Sequence, residues 1–417
     1  MFVWLIAFVV VLLLVVLAVA ARSAPAEPSG DLALVNAKVY PTPQAVPILD
    51  ANVLIHDGKI VAVGKDADAP IPKSAYIIEC AGRVIVAGFW NSHVHFTEDV
   101  WLPGYAAKVG NACATCLMAL HMEEMLTRWG FTTVWDLGSD PQRTMTIRGM
   151  VNAGALRGPH ILMAGDIFPK NGHPVYLPAE LQLPEAATPQ EAAQMAQQYL
   201  KMGLDGIKLF TGAFMGNKPV INMDTAIVKA AVDVAHAQGK PVFTHPQNDA
   251  GVDHALSGGV DILAHTIPTE GHFTEGQLSQ MKRQHIALIP TLTLWTTVVS
   301  DPAVQDRLVA AGVDELKQYF SAGGTILFGT DVGFQAKYDT TQEFEYMGRA
   351  MGWRDILASL TTNPSSFFKA ESHGRVEKGM DADLVVLDAD PASDVRNFAK
   401  VAYTIRAGKV IYQSKQP

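Results

Sequence analysis

The chain has 417 residues, 49% of them hydrophobic, with 41 acidic against 32 basic side chains and a net charge of -9. Its length exceeds the usual span of one core, so one large domain with a smaller one attached is expected. The acidic balance and the lack of any Lys/Arg-rich run argue against nucleic acid as a partner, and with only 3 cysteines it is not a disulfide scaffold.

Residues 2–21 form an unbroken apolar run of about 20 residues, enough to span a bilayer. Residues 1–24 therefore read as a signal peptide or membrane anchor. The small residues Ala18-Val19-Ala20 and the stretch from Ala21 to Ala24 suit cleavage. That favours an exported protein, periplasmic or secreted, over membrane attachment through residues 2–21. A buried core helix fits less well, because the run has no polar face and leads into the loose stretch Pro25 to Gly30.

From Leu32 to Val86, short β-rich runs alternate with turn signals such as Asp57-Gly58, and the same pattern returns in 383–387, 401–405 and 409–412. The two ends, 30–87 and 375–417, are expected to pair into one composite β-sandwich. Between them, in 88–374, the rhythm changes to apolar strand, loop and amphipathic helix. Strands are expected to end near His95, Gly138, Phe168, Phe210, His245, Thr266, Leu292 and Asp331. Thr188, Pro189 and Glu191 give a capping-box start to a helix over Ala192–Met202, and Gly239 closes another over Asp224–Gln238. Strands separated by helices in this way predict an α/β fold, a closed (β/α)8 TIM-like barrel with its active site at the C-terminal strand ends. The rival, an open doubly wound sheet, lacks a Gly-x-Gly-x-x-Gly after an early strand.

Those strand ends carry the chemistry. His93 and His95 are two residues apart on the first strand and point the same way. Lys208, His245, His265 and Asp331 fall at later strand ends, which completes a nitrogen and oxygen set suited to zinc and similar divalent ions. A plain ammonium repels a cation, so Lys208 fits among ligands only if neutral or converted to a carbamate. His173 and Tyr176 lie in a Pro-rich loop after the third strand, where substrate contacts reside. His173 is a candidate to bind a substrate carboxylate or steady an oxyanion. The remaining histidines, His121, His160, His236, His254, His272, His285 and His373, read as structural or solvent-facing. Cys113 and Cys116 read as two small packed side chains, with a disulfide as the alternative for an exported chain. Glu123 and Glu124 read as a solvated helix face.

The stretches Val86–His95, Gly130–Gly138, Gly329–Asp331, Thr361–Pro364 and Gly374–Val386 together resemble the amidohydrolase superfamily, in the branch that includes prolidase-like dipeptidases and imidazolonepropionase. The resemblance spans essentially everything after the leader. It implies that His93, His95 and Asp331 hold one metal, His245 and His265 a second, and Lys208, carboxylated by carbon dioxide, bridges two zinc ions. A metal-activated hydroxide then cleaves a C–N bond of a small amide, peptide-like or cyclic amide substrate, with Asp331 moving the proton. The alternatives are a mononuclear imidazolonepropionase-like or deaminase-like site, which Lys208 argues against, and a membrane-tethered non-catalytic binding protein, which the intact ligand set argues against. A homo-oligomer is expected. Selectivity is assigned to the loops 169–187, 211–221, 293–300 and 332–341, whose apolar and aromatic content favours a substrate with a hydrophobic or aromatic part.

Overall fold

The structure, a computed structural model, describes residues 31–415. The leader assigned to residues 1–24 lies outside the described residues. Among those described, no helix is long and apolar enough to cross a membrane.

The central layer is a parallel sheet whose strands follow one another in chain order: Phe89–Val94, Phe131–Asp136, His160–Pro169, Gly206–Phe210, Val242–His245, Ile262–Ala264, Ala287–Ile289 and Thr325–Ile326. A helix connects each pair, as parallel neighbours require. The last strand stops at Ile326, earlier than the sequence pattern suggests. The chain beyond it closes the ring against the first strand. Ser92 N donates to Phe328 O, Asp331 N to His93 O at 2.9 Å, and His95 N to Val332 O at 2.8 Å. The strands are thus a (β/α)8 barrel, and the closure puts Asp331 beside His93 and His95.

Residue alternation splits the barrel strands between two cores. Leu263 and Leu288 face outward onto the helices, with Ile227, Val228, Ala231, Val232 and Ala235 of the helix Thr225–His236 on that side. Ile262, Ala264, Ala287 and Ile289 face inward and pack with Trp90, Trp135 and Phe243. The first strand departs from strict alternation: its ladder with Phe131–Asp136 slips between Asn91 and Val94. That irregularity lets Trp90 fill the barrel floor while His93 still turns inward above it. The helix Pro189–Lys201 opens on the Thr188/Glu191 capping box that the sequence predicts.

The strands at the two ends of the chain join in one mixed sheet, ordered Lys409–Gln413, Val401–Arg406, Leu384–Leu387, Val84–Ala87, Leu32–Val39, Ile48–His56, Lys59–Gly64, with Tyr76–Glu79 beside Leu32–Val39. Val84–Ala87 pairs antiparallel with Leu384–Leu387 and runs straight into the first barrel strand. The barrel is therefore an insertion between two paired strands of this sheet.

Cys113 and Cys116 correct the preferred sequence reading, because they are joined as a disulfide with a Cα separation of 5.3 Å. Cys113 caps the helix Ala114–Met125 and Cys116 sits in its first turn, which folds the two sulfurs onto one another. Glu123 and Glu124 are exposed on that helix, as expected.

Candidate metal centre

His93, His95 and Asp331 converge at the C-terminal end of the barrel. Asp331 Oδ1 lies 3.1 Å from His93 Nε2 and 2.9 Å from His95 Nε2, and the two Nε2 atoms are 3.2 Å apart. One ligand atom from each lies within 4.8 Å of the others. The rings of His265 and His245 extend the cluster: centroids are 4.7 Å apart for His93 and His265, and 4.9 Å for His245 and His265.

The far nitrogen of most of these rings is already engaged, which decides the nitrogen left for an ion. His95 Nδ1 is 2.8 Å from Gly138 O, so its Nε2 faces the cluster. His265 Nδ1 is 2.6 Å from the Thr291 hydroxyl, which leaves Nε2. His245 reverses the pattern: its Nε2 is 2.9 Å from Gln247 Oε1, which leaves Nδ1. Four of these residues sit at left-handed backbone angles, namely His265 (φ 92°), Asp331 (φ 62°), Gln247 (φ 61°) and Thr291 (φ 44°). Such angles cost a non-glycine residue energy, so the barrel framework supplies the stability that holds the ligands there.

Burial dominates the electrostatics. It holds the His93 and His265 imidazoles well below their usual range, with the Lys208 charge adding to the effect on both and His245 on His265, and it takes His245 down to about 4. These rings are neutral near pH 7, the state a metal ligand needs. Burial also opposes charge on His95, but the hydrogen bond and charge of Asp331 outweigh it and raise its pKa.

Lys208 is 1% exposed in the middle of the strand Gly206–Phe210. Burial lowers its amine against the pull of Asp166 and Asp331. The amine stands 5.4 Å over the Phe210 ring and has no hydrogen bond or ion pair among the described residues. A buried amine among neutral imidazoles and a carboxylate is a donor set that a divalent cation would complete.

Of the two loop candidates, Tyr176 stands at the mouth. Its ring packs edge-on against Phe334 at 5.3 Å, and burial together with the charges of Asp331 and Asp166 raises its hydroxyl above the ordinary range. His173 is turned into its own loop, its ring nitrogens each 3.2 Å from the carbonyls of Pro174 and Leu181. Other histidines bind elsewhere, as His236 does to Asp261 at 2.9 Å and His254 to the Met223 carbonyl at 2.6 Å.

Sequence reasoning missed Asp166, Gln247 and Thr291. Asp166 left a signal, a lone carboxylate in the apolar strand His160–Pro169 that pairs in register with Lys208. Gln247 and Thr291 left none, because their roles depend on backbone angles that residue type does not foretell.

Ochratoxinase of Aspergillus niger is 24% identical over 409 residues, covering 87% of this chain and 83% of the relative. Dihydroorotase of Mycobacterium tuberculosis is 21% identical over 372 residues, covering 81% and 85%. Among solved structures, a prolidase-assigned protein of Bifidobacterium longum superposes with a TM-score of 0.76 at 26% identity, over 92% of this chain and 95% of the other. A Xaa-Pro dipeptidase with methionine in its active site shares the fold, with a TM-score of 0.76 at 21% identity over 92% and 100%. With the family itself matched over residues 84–411, the chain belongs to the amidohydrolase family and is a hydrolase of amide-type carbon–nitrogen bonds.

Proposed function

We propose that the chain is a two-metal amidohydrolase in which His93, His95 and Asp331 hold one divalent ion, His245 and His265 a second, and N-carboxylated Lys208 bridges them. The observation that carries this reading is the Lys208 amine, buried without a partner among ligand-type side chains. Zinc suits the donor set of imidazole nitrogens and carboxylate oxygens. When bound, such ions make water nucleophilic near neutral pH and polarise a carbonyl oxygen.

Asp331 takes the proton of the attacking water and returns it to the leaving nitrogen. Thr291, Gln247 and Gly138 orient His265, His245 and His95 through the far ring nitrogens. Tyr176 keeps its hydroxyl proton at ordinary pH and can donate it in a hydrogen bond to the substrate carbonyl oxygen. Tyr176, Phe334 and Phe214, about 40% exposed at 40%, 39% and 39%, offer apolar rings to a substrate with a hydrophobic or aromatic part. His173 remains the candidate for a substrate carboxylate if its loop turns it outward. The leader reading places the enzyme outside the cytosol, where a Cys113–Cys116 disulfide persists.

The test is a panel of N-acyl amino acids, dipeptides and cyclic amides assayed with zinc, cobalt and manganese, with metal content measured alongside. Hydrolysis lost to chelators, restored by metal and strongest for hydrophobic or aromatic substrates supports the reading. Lys208→Ala with full activity and full metal content removes the bridge from it.

A further inference from the structure

We propose that Asp166 is a positioning residue of this centre: its carboxylate balances the charge of the loaded site and orients carboxylated Lys208. The inference rests on the two-metal reading above and adds a residue to it. Asp166 and Lys208 are register partners on adjacent parallel strands, so their side chains leave the sheet on the same face at the same depth. Among the described residues, Asp166 Oδ1 is buried without a hydrogen-bond partner, and the Lys208 amine opposite it meets the face of the Phe210 ring at 5.4 Å. A buried carboxylate oxygen without a partner, beside a buried amine that meets only an aromatic face, is costly unless another group completes it.

The neighbouring buried carboxylate shows the contrast. Asp136 is satisfied within the protein, by Ser139 Oγ at 2.7 Å and Thr144 Oγ1 at 2.5 Å. Asp166 has no such partner for Oδ1 among the described residues, and its side chain leaves the sheet on the same face as that of Lys208. Gly138 makes room for it: a Cβ there would stand 2.7 Å from Asp166 Oδ2, while the Gly138 carbonyl engages His95 Nδ1. Asp166 is thus wedged between the bridging position and a ligand of the first ion.

Carboxylation supplies what the orphan oxygen lacks. The lone pair of the neutral amine attacks carbon dioxide, a new N–C bond forms, and one proton leaves the nitrogen for solvent. The carbamate nitrogen retains one N–H, a donor in a buried site, and Asp166 accepts from it. That contact would hold the carbamate in one orientation on Lys208. The added negative charge also offsets the excess positive charge of two divalent cations in a dry site.

The experiment uses the full chain, purified wild type, Asp166→Ala and Asp166→Asn, dialysed after loading with zinc and labelled bicarbonate. Metal content is read by elemental analysis, the carbamate by carbon NMR, and the fold by thermal unfolding of the metal-free proteins. The wild type is expected to keep two ions and a carbamate signal. Asp166→Ala is expected to lose the carbamate signal and hold zinc about 10- to 100-fold more weakly, the range for groups that orient ligands. Asp166→Asn, which retains shape and an acceptor without charge, is expected to weaken zinc less, with unfolding of the metal-free protein like that of the wild type. Both variants keeping two ions and the wild-type carbamate signal overturns the inference. A wild type with one ion and no carbamate overturns the two-metal reading as well, and the wild-type arm alone distinguishes that failure.

Discussion

The Thr291 hydroxyl lies 2.6 Å from Nδ1 of His265, and it reaches there from a left-handed backbone angle (φ 44°) at a fully buried position. A β-branched residue rarely adopts that angle, so the contact is held against local strain. Thr291→Val keeps the shape and the branching and deletes only the partner of His265. Zinc affinity is expected to fall about 10- to 100-fold, and Thr291→Ser to restore most of it. Competition with a chromophoric chelator measures this.

Gly138 is predicted to tolerate no side chain. Its φ of 138° and the Asp166 oxygen 2.7 Å from the place of a Cβ mean that Gly138→Ala must displace either the Asp166 carboxylate or the carbonyl that orients His95. A loss of about 1–3 kcal/mol in stability, the range for overpacking, is expected together with a lower kcat. Denaturant unfolding and steady-state kinetics on one preparation check both.

Glu315 sets an alkaline limit on stability. It is fully buried, Oε2 accepts from Ile267 N at 2.7 Å, Oε1 has no partner among the described residues, and burial pushes its carboxyl up to about 8 from 4.5. The unfolded chain releases this proton above about pH 4.5 while the folded protein still holds it. Its contribution is therefore fully present below about pH 4.5 and is lost as pH rises toward about 8. Glu315→Gln is expected to raise stability by about 2 kcal/mol near pH 9 and to leave it unchanged near pH 5. Thermal unfolding at the two pH values is the measurement, and equal effects at both would contradict it.

The Cys113–Cys116 bridge spans a sequence separation of 3 at the start of a helix. So short a loop restricts the unfolded chain little, and Cys113→Ser is expected to cost no more than about 2 kcal/mol. Among the described residues no hydrogen bond joins Cys113 or Cys116 to a ligand-type residue of the cluster, and kcat/KM is expected to stay within about twofold of wild type. Unfolding curves and assays with and without a reducing agent check this.

The barrel was legible because alternation along a strand is a strong signal, and the places of His93, His95, Lys208, His245 and His265 along it because ligand-type residues in apolar runs stand out. Asp331 reaches the site by a route that strand alternation does not describe. It lies beyond a strand that ends at Ile326, and a hydrogen bond to His93 O, not strand continuation, brings it to the site. Asp166 carried the same kind of signal as Lys208, but its meaning appears only when the two strands are set in register. Thr291 and Gln247 could not be read, because a hydroxyl or an amide in a loop acquires its role from a backbone turn. Residue type alone fits Cys113 and Cys116 to packing as well as to pairing, and their disulfide depends on Cys113 capping the helix whose first turn holds Cys116.

The composite sheet also orders events in the life of the chain. Val84–Ala87, which leads into the strand carrying His93, finds its antiparallel partner only in Leu384–Leu387, about three hundred residues later. A nascent chain can lay down most of the barrel while that edge still waits for a mate. The strand that begins the candidate metal centre is thus fastened by residues synthesised about three hundred positions after it. Assembly of the centre is a late step, and a chain cut short before Leu384 leaves an unpaired β-edge directly beneath it.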